Sequence, residues 1–173
     1  MPHNPFTSIT MNIRATALAE RLERGVSALA TFANELTTAE WASPVPKDGR
    51  SVGVVVHHVA SVLPTEIHLA QILASGKPVT GVAMADIHAA NGAHARDNAD
   101  VTKEEALRLL KRNAAAAAVA IRTLTDDQLD RAAPVSLYED APLTTQFMLE
   151  DHAVRHSYHH LTLLRVALGR QTP

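Results

Sequence analysis

The chain contains no cysteine, few aromatic residues and no long apolar run, and each of these absences excludes a class of protein. Without cysteine there is no disulfide framework, no thiolate metal site and no catalytic thiol from the protein itself, a composition typical of a reducing compartment. The longest wholly apolar run, Ala114 to Ile121, has eight residues, whereas about 20 are needed to cross a bilayer. No transmembrane helix is predicted.

An excess of one charge and a leader sequence are also lacking. Sixteen basic residues stand against eighteen acidic ones, for a net charge of -2, so nothing indicates binding to nucleic acid or to an anionic membrane. The N-terminal MPHNPFTSIT has neither the charged nor the apolar region of a secretory signal. We expect a soluble cytoplasmic protein, and the length of 173 residues predicts a single domain over 1–173.

The chain does contain apolar residues repeated with a period near 3.6, which is typical of amphipathic helices. Apolar and polar residues alternate nowhere over a stretch long enough to predict a sheet. Four long helices are predicted, over about 12–36, 51–74, 102–124 and 143–168. Ser51 is a candidate N-cap for the second helix, and Thr102 with Glu105 has capping-box spacing for the third. Pro64 is expected to bend the second helix, because proline cannot donate a backbone hydrogen bond.

The connections complete the predicted fold. Segment 37–50 contains prolines and a glycine and is predicted to be a loop, and segment 125–142 is a proline-punctuated connection. Between the second and third long helices, Ala83 to Asn98 is predicted to form a short helix interrupted at Gly92. The predicted fold class is therefore all-α, a four-helix bundle with an extra short helical segment between helices two and three.

Histidine is the other abundant feature, with ten in the chain. Four of them, His152, His156, His159 and His160, lie within nine consecutive positions. Bundles build metal and cofactor sites from core positions on facing helices. The candidate ligands are therefore the histidines that lie on the predicted inward-facing stripes. On the fourth helix the predicted inward stripe is Leu149, Ala153, His156, His160, Leu163 and Ala167. On the second it is Val55, His58, Val62, Thr65, Leu69 and Ile72, with His57 nearer the edge.

Three histidines on these stripes predict a metal site. His156 and His160 are four residues apart, so they share one helix face and can present two imidazoles to one point. His58 from the facing helix supplies a third ligand. Three protein ligands with one position left open is the arrangement of catalytic sites, whereas structural sites are usually closed by four. We expect a divalent transition metal, with zinc or nickel favoured and iron as a further candidate.

Other interpretations of the polar residues stay open. A buried histidine can be a hydrogen-bonded core residue that binds no metal. His152 and His159 lie on a neighbouring stripe and either support the ligands or face solvent. Surface or packing roles are expected for His3, His68, His88 and His94, although the segment that holds the last two could fold over the open side of the metal. Single acidic residues that could act as a base or orient a ligand are Glu66, Glu150 and Asp151.

Several well-known catalytic motifs are missing. The chain has no HExxH zincin motif and none of the Glu-x-x-His motifs of di-iron bundles. It has neither a GxGxxG nor a GxxxxGK[ST] phosphate-binding loop.

Two short motifs resemble a known family. His57-His58-Val59-Ala60, followed about a hundred residues later by His156-Ser157-Tyr158-His159-His160, resembles the DinB-like superfamily. This group of four-helix bundles also contains the metal-binding domain of mycothiol-dependent maleylpyruvate isomerase. The resemblance implies that His58, His156 and His160 are the metal ligands, and it suggests a homodimer. Relatives often continue the last motif as HHRGQ, whereas this chain continues with Leu161-Thr162-Leu163, so a substrate contact through that arginine or glutamine is not implied here. Asn91 to Arg96 also resembles an NAxHAxR segment of some relatives.

The resemblance and the predicted site lead to three hypotheses. The first is a metalloenzyme acting on a small-molecule substrate, with thiol-dependent S-transfer or isomerisation favoured and metal-assisted hydrolysis as the alternative. Because the chain has no cysteine, a nucleophilic sulfur must arrive with a low-molecular-weight thiol cosubstrate. The second is a non-enzymatic metal-binding or stress-related bundle, and the third is a metal-free interaction module.

Overall fold

The structure is a computed structural model that describes residues 12–170; the N-terminal segment with His3 and the last three residues lie outside the described part. Helices dominate it, as predicted. In chain order the elements are α1 (Ile13–Asn34), α2 (Thr38–Ala42), α3 (Val52–Ala74), α4 (Met84–Asp97), α5 (Lys103–Arg122), α6 (Asp126–Asp130), β1 (Ala132–Val135), a 3₁₀ turn (Ser136–Tyr138), β2 (Ala141–Thr144), α7 (Thr145–Met148), a π-helical segment (Leu149–Val154) and α8 (Arg155–Ala167).

The starts of the long helices follow from their caps. The side chain of Asn12 accepts hydrogen bonds from the first turn of α1, and that of Ser51 accepts from Val54 N in α3. Thr102 and Glu105 form the predicted capping box of α5. These side chains satisfy backbone N–H groups that have no partner within the helix.

The core lies between α1, α3, α5 and the last helical stretch. The apolar residues spaced three or four apart along α1 and just beyond its end are all buried: Leu18, Leu22, Val26, Leu29, Phe32 and Leu36. The side of α5 that faces α1 and α3 carries small buried residues, Ala106, Ala114, Ala117 and Ala118. Because alanine projects little beyond the backbone, three long helices approach closely here. The four-helix bundle is confirmed.

Three connections differ from the predictions. Segment 37–50 is not all loop, because Thr37 and Glu40 form a capping box that starts α2. The helix α4 is not interrupted at Gly92 but runs through it, since one glycine lowers helix stability without breaking the helix. The connection 125–142 contains α6 and part of an antiparallel hairpin, in which Ala132 pairs with Thr144 and Val135 with Ala141. Strands of four residues are too short for their alternation to stand out in the sequence.

The predicted inward stripe of α3 does not coincide with the face that is buried in the structure. On α3 the buried residues beyond His58 include Leu63, Glu66, Ile67, Ala70 and Leu73, whereas the predicted Val62, Thr65, Leu69 and Ile72 are half-buried or exposed. At 3.6 residues per turn the predicted positions all stay on the His58 side of α3, whereas the buried positions beyond His58 centre roughly 120° around the helix. The predicted stripe therefore runs along the edge of the buried face.

The fourth predicted helix is also not one regular α-helix. Its first turn, α7, passes into the π-helical segment before α8 begins. A π turn rotates the following residues relative to a regular helix. Beyond it the buried residues are Ser157, His160, Leu161 and Leu164, while the predicted Leu163 and Ala167 are only half-buried.

Helix α3 is the most apolar element. By length and mean hydropathy it could cross a membrane, yet 61% of its apolar window is buried inside the bundle. It continues unbroken past Pro64, whose side chain is exposed; the bend at this proline remains a prediction. This apolar helix forms the centre of the bundle.

Glycine is required where α2 crosses the start of α3. A Cβ added at Gly53 would overlap the indole ring of Trp41, which is held by a 2.9 Å hydrogen bond from Nε1 to the Val101 carbonyl. We expect Gly53→Ala to lower the free energy of unfolding by about 1–3 kcal/mol and to shift the fluorescence of Trp41, the single tryptophan. Urea denaturation followed by tryptophan emission measures both.

Gly92→Ala is the matched control. A Cβ there would have only Arg96 as a neighbour, at 3.5 Å, so the helix interior should gain about 0.5–1 kcal/mol. Equal effects of the two substitutions would contradict the proposed close contact of Gly53 with Trp41.

Candidate metal centre

The three histidines on the predicted stripes meet at one place in the bundle. His58 from α3 and His156 and His160 from α8 each offer one nitrogen, and these three atoms lie within 4.8 Å of one another. His58 is 5% exposed and His160 is 7% exposed, whereas His156 is half-buried. The structure thus brings together all three residues that the sequence predicted as ligands.

The ring positions follow from helix geometry. His156 and His160 are one turn apart on α8, and their rings stack with centroids 4.8 Å apart. The ring of His58 meets both edge-on, at 5.2 Å from His156 and 5.5 Å from His160. The π-helical segment ends at Val154, so it sets the rotation at which His156 enters the site. Such segments occur frequently at functional sites.

Glu66 holds the third ring in place. Its carboxylate Oε1 is hydrogen-bonded to His156 Nδ1, and Glu66 is only 7% exposed. Glu66 lies on α3, two turns beyond His58, so one helix supplies both a candidate ligand and the orienting group of another. A carboxylate behind a ligand histidine fixes its ring and raises its basicity. From the sequence, Glu66 was one of three acidic residues for which two roles stayed open, acting as a base or orienting a ligand.

Buried nitrogens without partners support a bound cation. Within residues 12–170, Nδ1 of His58 and Nδ1 of His160 are buried and make no hydrogen bond. Buried polar atoms are normally paired, and an ion is one explanation for those that are not. A set of three imidazoles matches the ligand preference of zinc, nickel, iron and copper. The residues therefore fit a divalent transition metal.

Electrostatics keep His58 and His160 neutral. Burial, reinforced by the neighbouring His156 and Arg50, lowers the pKa of His58 to about 3. Burial and the same neighbours, with His58 and His159, lower the pKa of His160 to about 2. Both rings are thus uncharged at neutral pH, which is the form that binds a metal.

Two further histidines lie beside the cluster. His57, at the edge of α3 as predicted, has its Nδ1 2.9 Å from Nε2 of His94 on α4. The His94 ring in turn meets the His58 ring edge-on, with centroids 5.6 Å apart. The segment that carries His94 therefore folds against the site, one of the two roles that the sequence left open.

The remaining described histidines take other places. His152 joins a separate network, 3.0 Å from Tyr138 Oη, which donates to Asp151 at 2.7 Å. Burial and this bond to Asp151 raise the pKa of Tyr138 to about 12. His159 is exposed against the ring of His160, and His68 and His88 are exposed on the surface.

An ion pair that the sequence did not predict also borders the site. Asp48 accepts two hydrogen bonds from Arg50, at 2.6 Å from Nε and 2.7 Å from Nη2. These bonds hold the pKa of Asp48 below its ordinary value. In the sequence both residues lie in a predicted loop just before Ser51, and no motif connects them with histidines on distant helices.

Comparison with known proteins agrees with this fold. A family model described as the DinB superfamily matches residues 21–164. No curated protein matches the sequence. The structure is similar to YfiT from Bacillus subtilis, described as a probable metal-dependent hydrolase with an unusual four-helix bundle topology; the TM-score is 0.72 and the identity 21%, over 98% of this chain and 95% of that one.

A second similar structure is the mycothiol-dependent maleylpyruvate isomerase, with a TM-score of 0.67 and 14% identity. The match covers 87% of this chain but 60% of the isomerase, so a large part of that protein has no counterpart here. At these identities the likeness supports the shared fold.

The depressed pKa values predict how stability depends on pH in the metal-free protein. In the unfolded chain these imidazoles titrate near their ordinary pKa of about 6.5, so protonation favours unfolding once the pH falls below that value. Stability should then drop by up to about 1.4 kcal/mol per pH unit for each of His58 and His160, until the pH reaches their folded-state values. Urea denaturation at pH 7.5, 6.5 and 5.5 measures this slope.

The variant His58→Ala/His160→Ala should show a shallower slope than the wild type. The control His68→Ala/His88→Ala, which alters two exposed rings, should leave the slope unchanged. A slope that is the same in all three proteins would contradict the burial argument.

Proposed function

The chain belongs to the DinB superfamily, and from this membership and the histidine cluster we propose that it is a metal-dependent enzyme acting on a small-molecule substrate. The observation that carries the proposal is the convergence of His58, His156 and His160, whose candidate ligand atoms lie within 4.8 Å of one another inside an otherwise apolar bundle. Three imidazoles leave a fourth position for water or substrate, as in catalytic sites.

Each residue has a defined task in this proposal. His58, His156 and His160 hold the ion, and Glu66 orients His156 through their hydrogen bond. When bound, such an ion supplies Lewis acidity toward a water molecule or a small thiol. Zinc or nickel is the proposed metal, with iron as a further candidate, because imidazole binds all three.

Thiol-dependent S-transfer or isomerisation is the favoured chemistry. It is supported by the fold shared with an isomerase whose name states its dependence on mycothiol. Because this chain has no cysteine, the reactive sulfur belongs to a cosubstrate. Metal-assisted hydrolysis is the second candidate, and the likeness to YfiT, which covers more of both chains, favours it.

Further parts of the proposal concern the setting of the protein. We propose a single domain over residues 1–173, a cytoplasmic location and a homodimer. A metal-binding bundle without enzymatic activity would share the same ligands, so metal content alone does not separate it from an enzyme.

Metal retention tests the ligand set. We expect His58→Ala, His156→Ala and His160→Ala each to abolish stoichiometric metal in elemental analysis of untagged protein, because each removes one of three ligands. Glu66→Gln should keep the site but weaken metal affinity by about 10- to 100-fold in chelator competition. His68→Ala, an exposed histidine on the same helix as His58, is the control and should match the wild type. Equal retention in all five variants would overturn the proposed site.

Thiol titration separates the two chemistries. In protein loaded with cobalt, we expect glutathione or 2-mercaptoethanol to change the visible spectrum, whereas ethylene glycol, which has no sulfur, leaves it unchanged. The change should be absent in His160→Ala. A spectrum that no thiol perturbs would count against S-transfer and leave hydrolysis as the better candidate.

A further inference from the structure

Helix α3 lacks one of its backbone hydrogen bonds, in the stretch between two residues of the candidate metal centre. Pro64 lies inside the helix and has no N–H to donate to the carbonyl four residues earlier. That carbonyl belongs to Ala60, which is 0% exposed. Because a buried backbone carbonyl without a partner is unfavourable, a donor from another element is expected.

Asn113 on α5 is that donor. Its side-chain Nδ2 donates to the Ala60 carbonyl at 2.8 Å, across 53 residues of chain. Among the described residues, 12–170, no other side chain donates to this carbonyl. The nearby Ser61 Oγ donates instead to the His58 carbonyl, at 2.9 Å. Asn113 therefore replaces the hydrogen bond that Pro64 cannot make.

The position of Asn113 within α5 supports this role. Alanines occupy 114–118 directly after it, and asparagine has a lower helix propensity than alanine. Helix stability alone thus disfavours an asparagine in the middle of α5 (Lys103–Arg122). Asn113 is half-buried, and its hydrogen bond to α3 is a tertiary contact that offsets the unfavourable propensity.

The replaced hydrogen bond lies between His58 and Glu66. His58, a candidate ligand, precedes Pro64 in α3. Glu66 follows the proline and is hydrogen-bonded to His156. The position of the His156 ring relative to His58 therefore depends on how α3 runs through the proline. Prolines are common places for a helix to bend, and the Asn113 contact fixes this stretch of α3 against α5.

From these contacts we propose that Asn113 is a positioning residue of the candidate metal centre, which acts by supplying the hydrogen bond that Pro64 removes from α3. Its effect passes through Glu66, whose placement sets that of His156 relative to His58. The inference rests on the metal-centred function proposed above and adds a residue from a third helix to that site.

Cobalt binding tests this role. Asn113→Ala leaves the buried Ala60 carbonyl without a donor, so we expect it to weaken cobalt affinity about tenfold in chelator competition, the lower end of the range for groups that orient metal ligands. The visible spectrum of the bound cobalt should shift, because the arrangement of the ligands changes. If either the affinity or the spectrum is the same in Asn113→Ala as in the wild type, the inference is overturned.

Pro64→Ala is the rescuing change. It restores a backbone N–H four residues after Ala60, and Pro64 is exposed, so few core contacts are lost. In this background Asn113→Ala should change cobalt affinity by less than about twofold, because the carbonyl has a partner within the helix and the two substitutions are non-additive. A larger loss relative to Pro64→Ala would overturn the inference.

The same double variant covers the case in which Asn113→Ala alone does not fold. A Pro64→Ala/Asn113→Ala protein that folds and has the cobalt affinity and spectrum of Pro64→Ala would support the inference. A double variant that also fails to fold would overturn it, since the restored N–H should replace the lost donor.

Arg131→Ala is the matched control. Arg131 Nη1 donates to the Ala74 carbonyl at the end of α3, at 2.6 Å, so this variant also removes a side-chain donor from α3, but outside the stretch between His58 and Glu66. Urea denaturation should show a lower midpoint for both variants, whereas only Asn113→Ala should alter the cobalt spectrum. An equal spectral shift in the control would mean that lost stability explains the effect, and would overturn the inference.

The failure of this inference is distinguishable from that of the proposed function. If the wild type binds no metal, the proposed function fails, and the role of Asn113 is then tested in metal-free protein by the NMR ring signals of His58 and His156. Signals that move in Asn113→Ala, but do not differ between Pro64→Ala and the double variant, would support the positioning role. Signals that stay in place in Asn113→Ala would overturn it.

Discussion

The structure depends on one constraint: three imidazoles stand close together inside an apolar bundle, and the two buried ones, His58 and His160, carry no charge. Burial penalises the protonated form, and the proximity of other positive groups penalises it further, so the pKa values of His58 and His160 fall to about 3 and 2. A neutral imidazole still has a nitrogen that needs a partner. The cluster is therefore costly as bare protein, and a cation bound by one nitrogen of each ring would offset that cost.

The fold meets this constraint by placing supporting groups on the elements that carry the ligands. Helix α3 contributes both His58 and Glu66, whose carboxylate holds His156 on the opposite helix. The π-helical segment before α8 sets the rotation at which His156 and His160 enter. The small residues of α5 let its neighbours pack closely. Ring separations near 5 Å follow from this packing.

Much of this was predictable, and the failures have physical reasons. The helix caps and the position of His58 near the start of an apolar stripe follow from local patterns, which depend on residues within about two turns. The α3 stripe failed because it was drawn through His58, which lies at the edge of the buried face, and the α8 stripe failed because a π turn is not visible in hydrophobic spacing. The hairpin was missed because its strands are four residues long. The contact of His57 with His94 was missed because it joins two helices across 37 residues of chain. Asp48 and Arg50 are only two residues apart, but no local pattern indicates that their side chains pair.

The sequence by itself determined the helical class, the absence of a protein thiol and the identity of the three clustered histidines, since composition, periodicity and the i, i+4 relation are local properties. Only the tertiary structure decided which side chains surround the three histidines. Glu66 behind His156, His94 over His58 and Arg50 at the edge of the site become neighbours through packing between helices. Their chemistry depends on burial and on distances between side chains, and neither can be read from spacing along the chain.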